Sequence, residues 1–226
     1  AMLAVIHITW GLLKRQIRAP TVMFVLLTVA IFHSTIAAAA IREAGWDICC
    51  HGWRWVEHYL MDEAEERTHI ARAVASLKET LGTAPAGWYC RYGPSINTRR
   101  LVVEHGGFLY DSDAYNDDLP YWTRVGGKPH LVVPYSLVNN DAKLTGLVPG
   151  DAYERFLRDA LDMLRREADT RPSMMSVGIH MRLLGHPARA AGLMLFLDHV
   201  GGLDDVWVAG REAIARHFAA HVPAEG

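Results

Sequence analysis

The sequence predicts an α/β protein built on a parallel sheet, either open or closed into a barrel. Short apolar runs alternate with helical patterns along the whole chain, without an internal repeat or a low-complexity linker. The 226 residues suit one sizeable domain, so residues 1–226 are expected to form a single domain. Four polar clusters, at His51, Arg91, Asp111 to Asp118 and His180, each fall just after a strand-like run. In parallel α/β sheets the chemistry sits at the carboxyl ends of strands, and such points converge on one face of a barrel. A count of roughly six or seven strands suits an incomplete or distorted barrel.

The elements follow in order. Val22 to Val29 reads as a buried strand, and Ile36 to Ala44 as a helix closed by Gly45. Trp46 to Cys50 is an apolar run from which His51 emerges, and Gly52 lets the chain turn there. Asp62 caps a helix carrying Ile70, Val74, Leu77 and Leu81 at helical spacing, ended by Gly82. Residues 87–91 read as a strand, Thr98 to His105 as a short helix, and Phe108 to Tyr110 as a strand behind Gly106-Gly107. Residues 130–133 form a strand closed by Pro134. Tyr153, Phe156, Leu157, Ala160, Leu161 and Leu164 mark an amphipathic helix. Met174 to Gly178 is strand-like and delivers His180. Pro187 to His199 is helical, Val206-Trp207 a short strand, and Arg211 to Ala220 a terminal helix.

Composition narrows the function. Net charge is −2 with histidine neutral, which implies no nucleic-acid partner. Three cysteines, Cys49, Cys50 and Cys90, fit neither a disulfide framework nor a zinc ribbon; reduced thiols and a cytoplasmic location are expected. Residues 19–41 are almost wholly apolar behind Lys14, Arg15 and Arg18, the profile of a membrane anchor. Pro20 and the His33-Ser34-Thr35 break favour the strand-turn-helix reading and a protein that is not membrane-bound.

Imidazoles, carboxylates and a guanidinium after strand ends suit general acid/base work with oxyanion stabilisation. His51, Arg91, Asp111 and His180 are the candidate catalytic residues, with His51 and His180 expected at one mouth of the sheet. Trp53, Trp55, Trp88, Asp113, Tyr121 and Arg182 are the candidate substrate-binding residues. Other readings stand beside these. The aspartates resemble a calcium loop in composition without the EF-hand pattern, and could equally cap turns or face solvent. The aromatic residues could be core. Glu65 and His69, four apart, read as a solvated helix face, and Cys90 as a buried strand residue rather than an activated thiol. A G-x-S-x-G elbow is missing, which removes support for Ser/His/Asp catalysis.

Together these residues resemble the NodB-type polysaccharide deacetylase superfamily, and within it the branch of cofactor-independent allantoinases of purine catabolism. The resemblance rests on His51-Gly52-Trp53-Arg54-Trp55, Gly87-Trp88-Tyr89, Asn97 to Leu101, Gly106 to Tyr115, Asp117 to Trp122, Pro129 to Tyr135, Gly178 to Arg182, Gly185, Pro187 to Arg189, Val206-Trp207 and Arg211 to His217. It implies a distorted (β/α) barrel, here apparently without the family's N-terminal first strand. Metal-dependent members bind their metal through an Asp of that strand and a His-x-x-x-His motif. His51 matches the first histidine, but Trp55 stands where the second belongs, a replacement the allantoinase-like branch shares. Nothing before residue 40 supplies an Asp or Glu. His180 matches the family's last conserved histidine and Arg91 its arginine after the third strand.

The resemblance implies a hydrolase of non-peptide C–N bonds, opening the ring of allantoin to give allantoate, with a small-molecule substrate and no cofactor. The second reading is an N-deacetylase of chitin-like or peptidoglycan sugars, which would need a divalent metal. The third is an inactive barrel with a binding role. A homo-oligomer, a tetramer by the family's habit, is also expected.

Overall fold

The computed structural model describes residues 35–91, 93–143 and 149–224. The proposed strand at Val22 to Val29, and the question of an anchor before it, lie outside these residues. Among the described residues no helix is long and apolar enough to cross a membrane. They fall into two compact units: one runs to Tyr135 and resumes at Ala209, and the other is Ser136–Val208.

The first unit holds the sheet. Helix α1 (Thr35–Glu43) precedes β1 (Cys49–Cys50), and α2 (Glu63–Leu81) leads to β2 (Gly87–Trp88). Helix α3 (Thr98–His105) leads to β3 (Tyr110–Asp111), followed by β4 (Tyr121–Val125) and β5 (Lys128–Val132). The strand order is β1-β2-β3-β5-β4, parallel except for β4, which runs antiparallel to β5 at the edge. The sheet is therefore mixed rather than wholly parallel. The Tyr121 and Trp122 segment, read as part of the aspartate stretch, is a strand joined to β5 through Gly126-Gly127.

Helix α2 forms where the spacing placed it. Asp62 accepts a hydrogen bond from Glu65 N at 2.8 Å, and Gly82 ends the helix in the left-handed region. Ile70, Ala73, Leu77 and Leu81 line its buried face and pack on Cys50, Trp88, Leu101 and Val102. Each isoleucine and leucine there contributes about 1.5–3 kcal/mol on removal from water. The register pairs Gly87 with Tyr110, and a β-carbon on Gly87 would overlap the Tyr110 ring. Helix α7 (Arg211–His221) closes the unit. Its first turn is capped from a distance by Asp47, whose Oδ2 accepts from Glu212 N at 3.0 Å.

The second unit contains α4 (Gly150–Glu167), α5 (Met181–Leu184) and α6 (Pro187–Val200). Tyr153, Leu157 and Leu161 of α4 pack with Leu184, Phe196 and Val200, the amphipathic face the sequence predicts. Two strand expectations change here. Met174 to Gly178 forms no strand, only an isolated parallel bridge between Asn140 and Gly178, and Val206-Trp207 is irregular.

Replacing Gly87 by Ala should force the Tyr110 ring aside and destabilise the protein by about 1–3 kcal/mol. Asp62→Ala should cost about 1 kcal/mol through the lost cap. Denaturant unfolding of both variants checks these values, and an unshifted midpoint for Gly87→Ala would contradict the packing.

Candidate functional site

In the first unit the polar residues gather just past the strand ends. His51 follows β1, where Gly52 takes φ 88°, a conformation that disfavours any side chain. A β-carbon on Gly52 would also crowd His58 Nε2 at 3.1 Å. His51 is part-buried, and its Nδ1–H donates to the Tyr89 carbonyl at 2.6 Å. A carbonyl only accepts, so the bond fixes the tautomer and leaves Nε2 as the basic nitrogen. The imidazole also stacks on the Tyr89 ring, 5.0 Å between centroids and 14° between planes.

Arg91 is buried, and its guanidinium lies 4.3 Å over the Trp55 ring. Trp53 packs on the core between the guanidinium groups of Arg54 and Arg72, at 4.4 and 4.7 Å. Trp88 is fully buried, with its edge contacts on His58 and Phe108, and so sits in the core. Below this strip, His58 and Glu66 bond at 3.0 Å, and Ser95 and Thr98 donate to the same carboxylate. His69 is buried against the Trp53 edge at 5.2 Å, so it does not belong to a solvated face. All three cysteines are free and buried; burial pushes the Cys49 thiol up to about 12 and raises Cys90 further. That fits an inert strand thiol at Cys90.

The aspartates separate into two kinds. Asp117 and Asp118 are exposed, and Asp117 Oδ1 accepts from the Asp118 and Leu119 amides. Asp111 is fully buried at the end of β3. Arg99 Nε and Nη2 donate to its two oxygens at 2.7 and 3.1 Å, His130 Nε2–H at 2.8 Å and Asp113 N at 2.9 Å. Burial opposes its charge, but the bonds from His130 and Arg99 outweigh it and hold the carboxyl below its usual range. Asp113 is the reverse case. Its Oδ1 accepts from Cys90 N at 2.7 Å, while Oδ2 is buried beside the Trp88 indole. Burial, then the neighbouring Asp111 charge, pushes its carboxyl well above the usual range. Two adjacent carboxyls with pKa values driven apart are a charged group and a proton donor in one loop.

In the second unit, His180 donates from its backbone N to Asp141 Oδ2 at 2.7 Å and from Nδ1–H to Asp141 Oδ1 at 2.6 Å. Asp141 is 2% exposed and the His180 side chain about a fifth exposed. A buried carboxylate on Nδ1 orients the ring and makes Nε2 the reactive nitrogen. Arg182, one turn on, is exposed. Tyr121, in the first unit, donates to Asn116 Oδ1 at 3.2 Å.

The residues missed in the sequence are Arg99, His130 and Asp141, and Tyr89 reads there only as core or substrate lining. Asp141 and His180 are 39 positions apart, and no local pattern marks the pairing. Tyr89 and Arg99 lie inside stretches that carry the family resemblance, which was the available signal.

The two aspartates should show opposite acid behaviour. Asp111 has a depressed folded pKa, so its stabilisation is present above the unfolded carboxylate value of about 3.9 and lost as pH falls through the folded value. Asp113 has a raised folded pKa, so its contribution is full below that value and lost as pH rises through the folded one. Asp111→Asn should therefore flatten the acid limb of the stability curve. Asp113→Asn should remove a penalty near neutrality. Urea unfolding across pH 3 to 8 reads both, and matching slopes for the two variants would refute the assignment.

Comparison with known proteins fits this geometry. The polysaccharide deacetylase family model matches residues 11–110. A Schizosaccharomyces pombe protein assigned to the polysaccharide deacetylases is 35% identical over 214 residues, covering 86% of this chain and 67% of that protein. The crystal structure of a probable polysaccharide deacetylase from Pseudomonas aeruginosa PAO1 is 46% identical with a TM-score of 0.79, covering 84% of this chain and 65% of that one. The structure of PuuE allantoinase is 40% identical with a TM-score of 0.82, covering 95% of this chain and 77% of that one. The chain thus spans about two thirds of the length of the first two. Its mixed sheet and helices match the folds of these structures. With this fold and these relatives, the chain belongs to the polysaccharide deacetylase family of the NodB type, whose members are hydrolytic enzymes.

Proposed function

We propose that the protein hydrolyses the ring amide of a small cyclic ureide, converting allantoin to allantoate. The carrying observation is the Arg91 guanidinium 4.3 Å over the Trp55 ring. Position 55 is where a metal-dependent deacetylase places its second histidine. An indole offers a metal no lone pair, and a guanidinium on its face sets a positive charge beside it that disfavours a second cation. The residues around His51 therefore do not fit a catalytic metal, and we assign no step to one. The likeness to PuuE allantoinase supports the same reading.

In this reading water attacks the ring carbonyl, the C–N bond breaks, and the product is a ureido acid. His51 Nε2, the basic nitrogen of a fixed tautomer, accepts a proton from the water. The His51 imidazolium so formed gives that proton to the leaving nitrogen. Arg91 or backbone donors would stabilise the oxyanion; removing one such donor typically costs about 3 kcal/mol. The new carboxyl then ionises to solvent, so one water is consumed and the protons balance.

The second reading, N-deacetylation of sugar polymers, is supported by the family model and the Pseudomonas relative. Product assays with allantoin and with N-acetylglucosamine oligomers separate the two. We expect allantoate, unchanged turnover after chelator treatment, and no stoichiometric transition metal by elemental analysis. Acetate release that chelator abolishes would establish the deacetylase instead. His51→Ala should lower kcat by about 100-fold or more through the lost proton transfer, with little change in KM. Wild-type kinetics in that variant would remove the imidazole from the mechanism.

A further inference from the structure

Aromatic residues follow each of the four parallel strands of the first unit: His51 after β1, Tyr89 after β2, Tyr115 after β3 and Tyr135 after β5. They form one layer. Tyr89 stacks on His51 at 5.0 Å and meets Tyr135 at 4.7 Å, while Tyr115 meets Tyr135 edge-on at 6.4 Å. Tyr135 is buried, and Tyr115 is half exposed at the rim. Arg211 anchors the layer from below, donating to the Val133 and Pro134 carbonyls at 2.9 and 3.0 Å.

The Tyr89 and Tyr115 hydroxyl oxygens lie 3.0 Å apart. Each phenol carries one proton, and one proton makes the bond between them. Neither hydroxyl makes another hydrogen bond among the described residues. Among the described residues, one O–H donor of the pair is therefore uncommitted. Burial, then the neighbouring phenol, raises the Tyr89 hydroxyl, and burial raises that of Tyr115, so both stay protonated and the pair keeps its donor. Tyr89 also holds His51 Nδ1–H through its own carbonyl. One residue thus fixes the basic imidazole and presents the phenol.

We propose that the Tyr89–Tyr115 hydroxyl pair is the recognition element for a carbonyl oxygen of a small cyclic ureide bound beside His51. A carbonyl is a pure acceptor and matches a phenol that must donate. The assignment rests on the ring-opening reading for its ligand class. Because one hydroxyl can replace the other as donor, the two positions act as a unit.

Equilibrium dialysis with allantoin tests this. Tyr89→Phe and Tyr115→Phe should each weaken binding about threefold, and the double variant about tenfold. Tyr59→Phe, on an exposed hydroxyl elsewhere, should bind as wild type. Should the double variant not fold, the wild-type protein still decides: added allantoin should shift the tyrosine difference spectrum. Unweakened binding by a folded double variant, an unshifted spectrum, or no allantoin binding by wild type would overturn the proposal. Phenol-dependent binding without turnover would keep the recognition element and sink the ring-opening reaction instead.

Discussion

The buried charge of Asp111 is the constraint around which the first unit's strand ends are arranged. It lies at the carboxyl end of β3, between β2 and β5 in the sheet. An ionised carboxylate there would be untenable alone, since taking a charge out of water costs several kcal/mol even after relaxation. It persists because Arg99 from α3, His130 from β5 and the Asp113 amide satisfy both oxygens. These bonds tie a helix, an edge pair of strands and the following loop to one point. They also make Asp113 the odd carboxyl out, because two adjacent charges in that volume repel. Burial first, and then the structural charge, pushes the carboxyl of that loop above its usual range.

A second anchor works the same way without a carboxylate. Arg211 is buried, and its bonds run to Ser112 and to the carbonyls of Val133 and Pro134. Burial lowers its pKa, yet several oxygen acceptors and the Tyr135 ring at 5.3 Å keep a guanidinium tolerable there. It stops β5 where Tyr135 turns into the aromatic layer. Asp47 at the start of the same helix caps the Glu212 amide. The terminal helix therefore braces strand ends far from it in sequence.

Legibility in the sequence followed the range of the interaction. Helices α2 and α3 were readable because caps and periodicity are local: Asp62, Gly82 and Gly106 stand beside what they end. The position of His51 was readable because an apolar run ends there. The β4–β5 hairpin was missed although Gly126-Gly127 is a turn signal, since a run of four aspartates from Asp111 to Asp118 drew the reading toward a loop. Met174 to Gly178 has strand composition but meets only Asn140, and composition does not say whether a partner is present. Asp141 was illegible because it acts through a residue distant in sequence, and His130 lies in a stretch of the resemblance that does not name its partner. The roles of Asp111 and Asp113 could not be separated either. Their difference is a matter of which neighbours donate, and that is settled only by packing.

Trp55 shows how one position redirects a shared framework. A histidine four residues after His51 would point a lone pair into the strand-end region and invite a cation. The indole instead offers a negative face, which Arg91 occupies. The positive charge that a metal would bring is thereby supplied by a side chain that cannot bind water as a ligand. In the proposed reaction the nucleophile comes from proton abstraction rather than from a metal-bound hydroxide. That places the demand on a neutral imidazole of defined tautomer. His51 meets it through the Tyr89 carbonyl, a partner that can only accept. The fixed tautomer and the occupied indole are two halves of the same chemical solution.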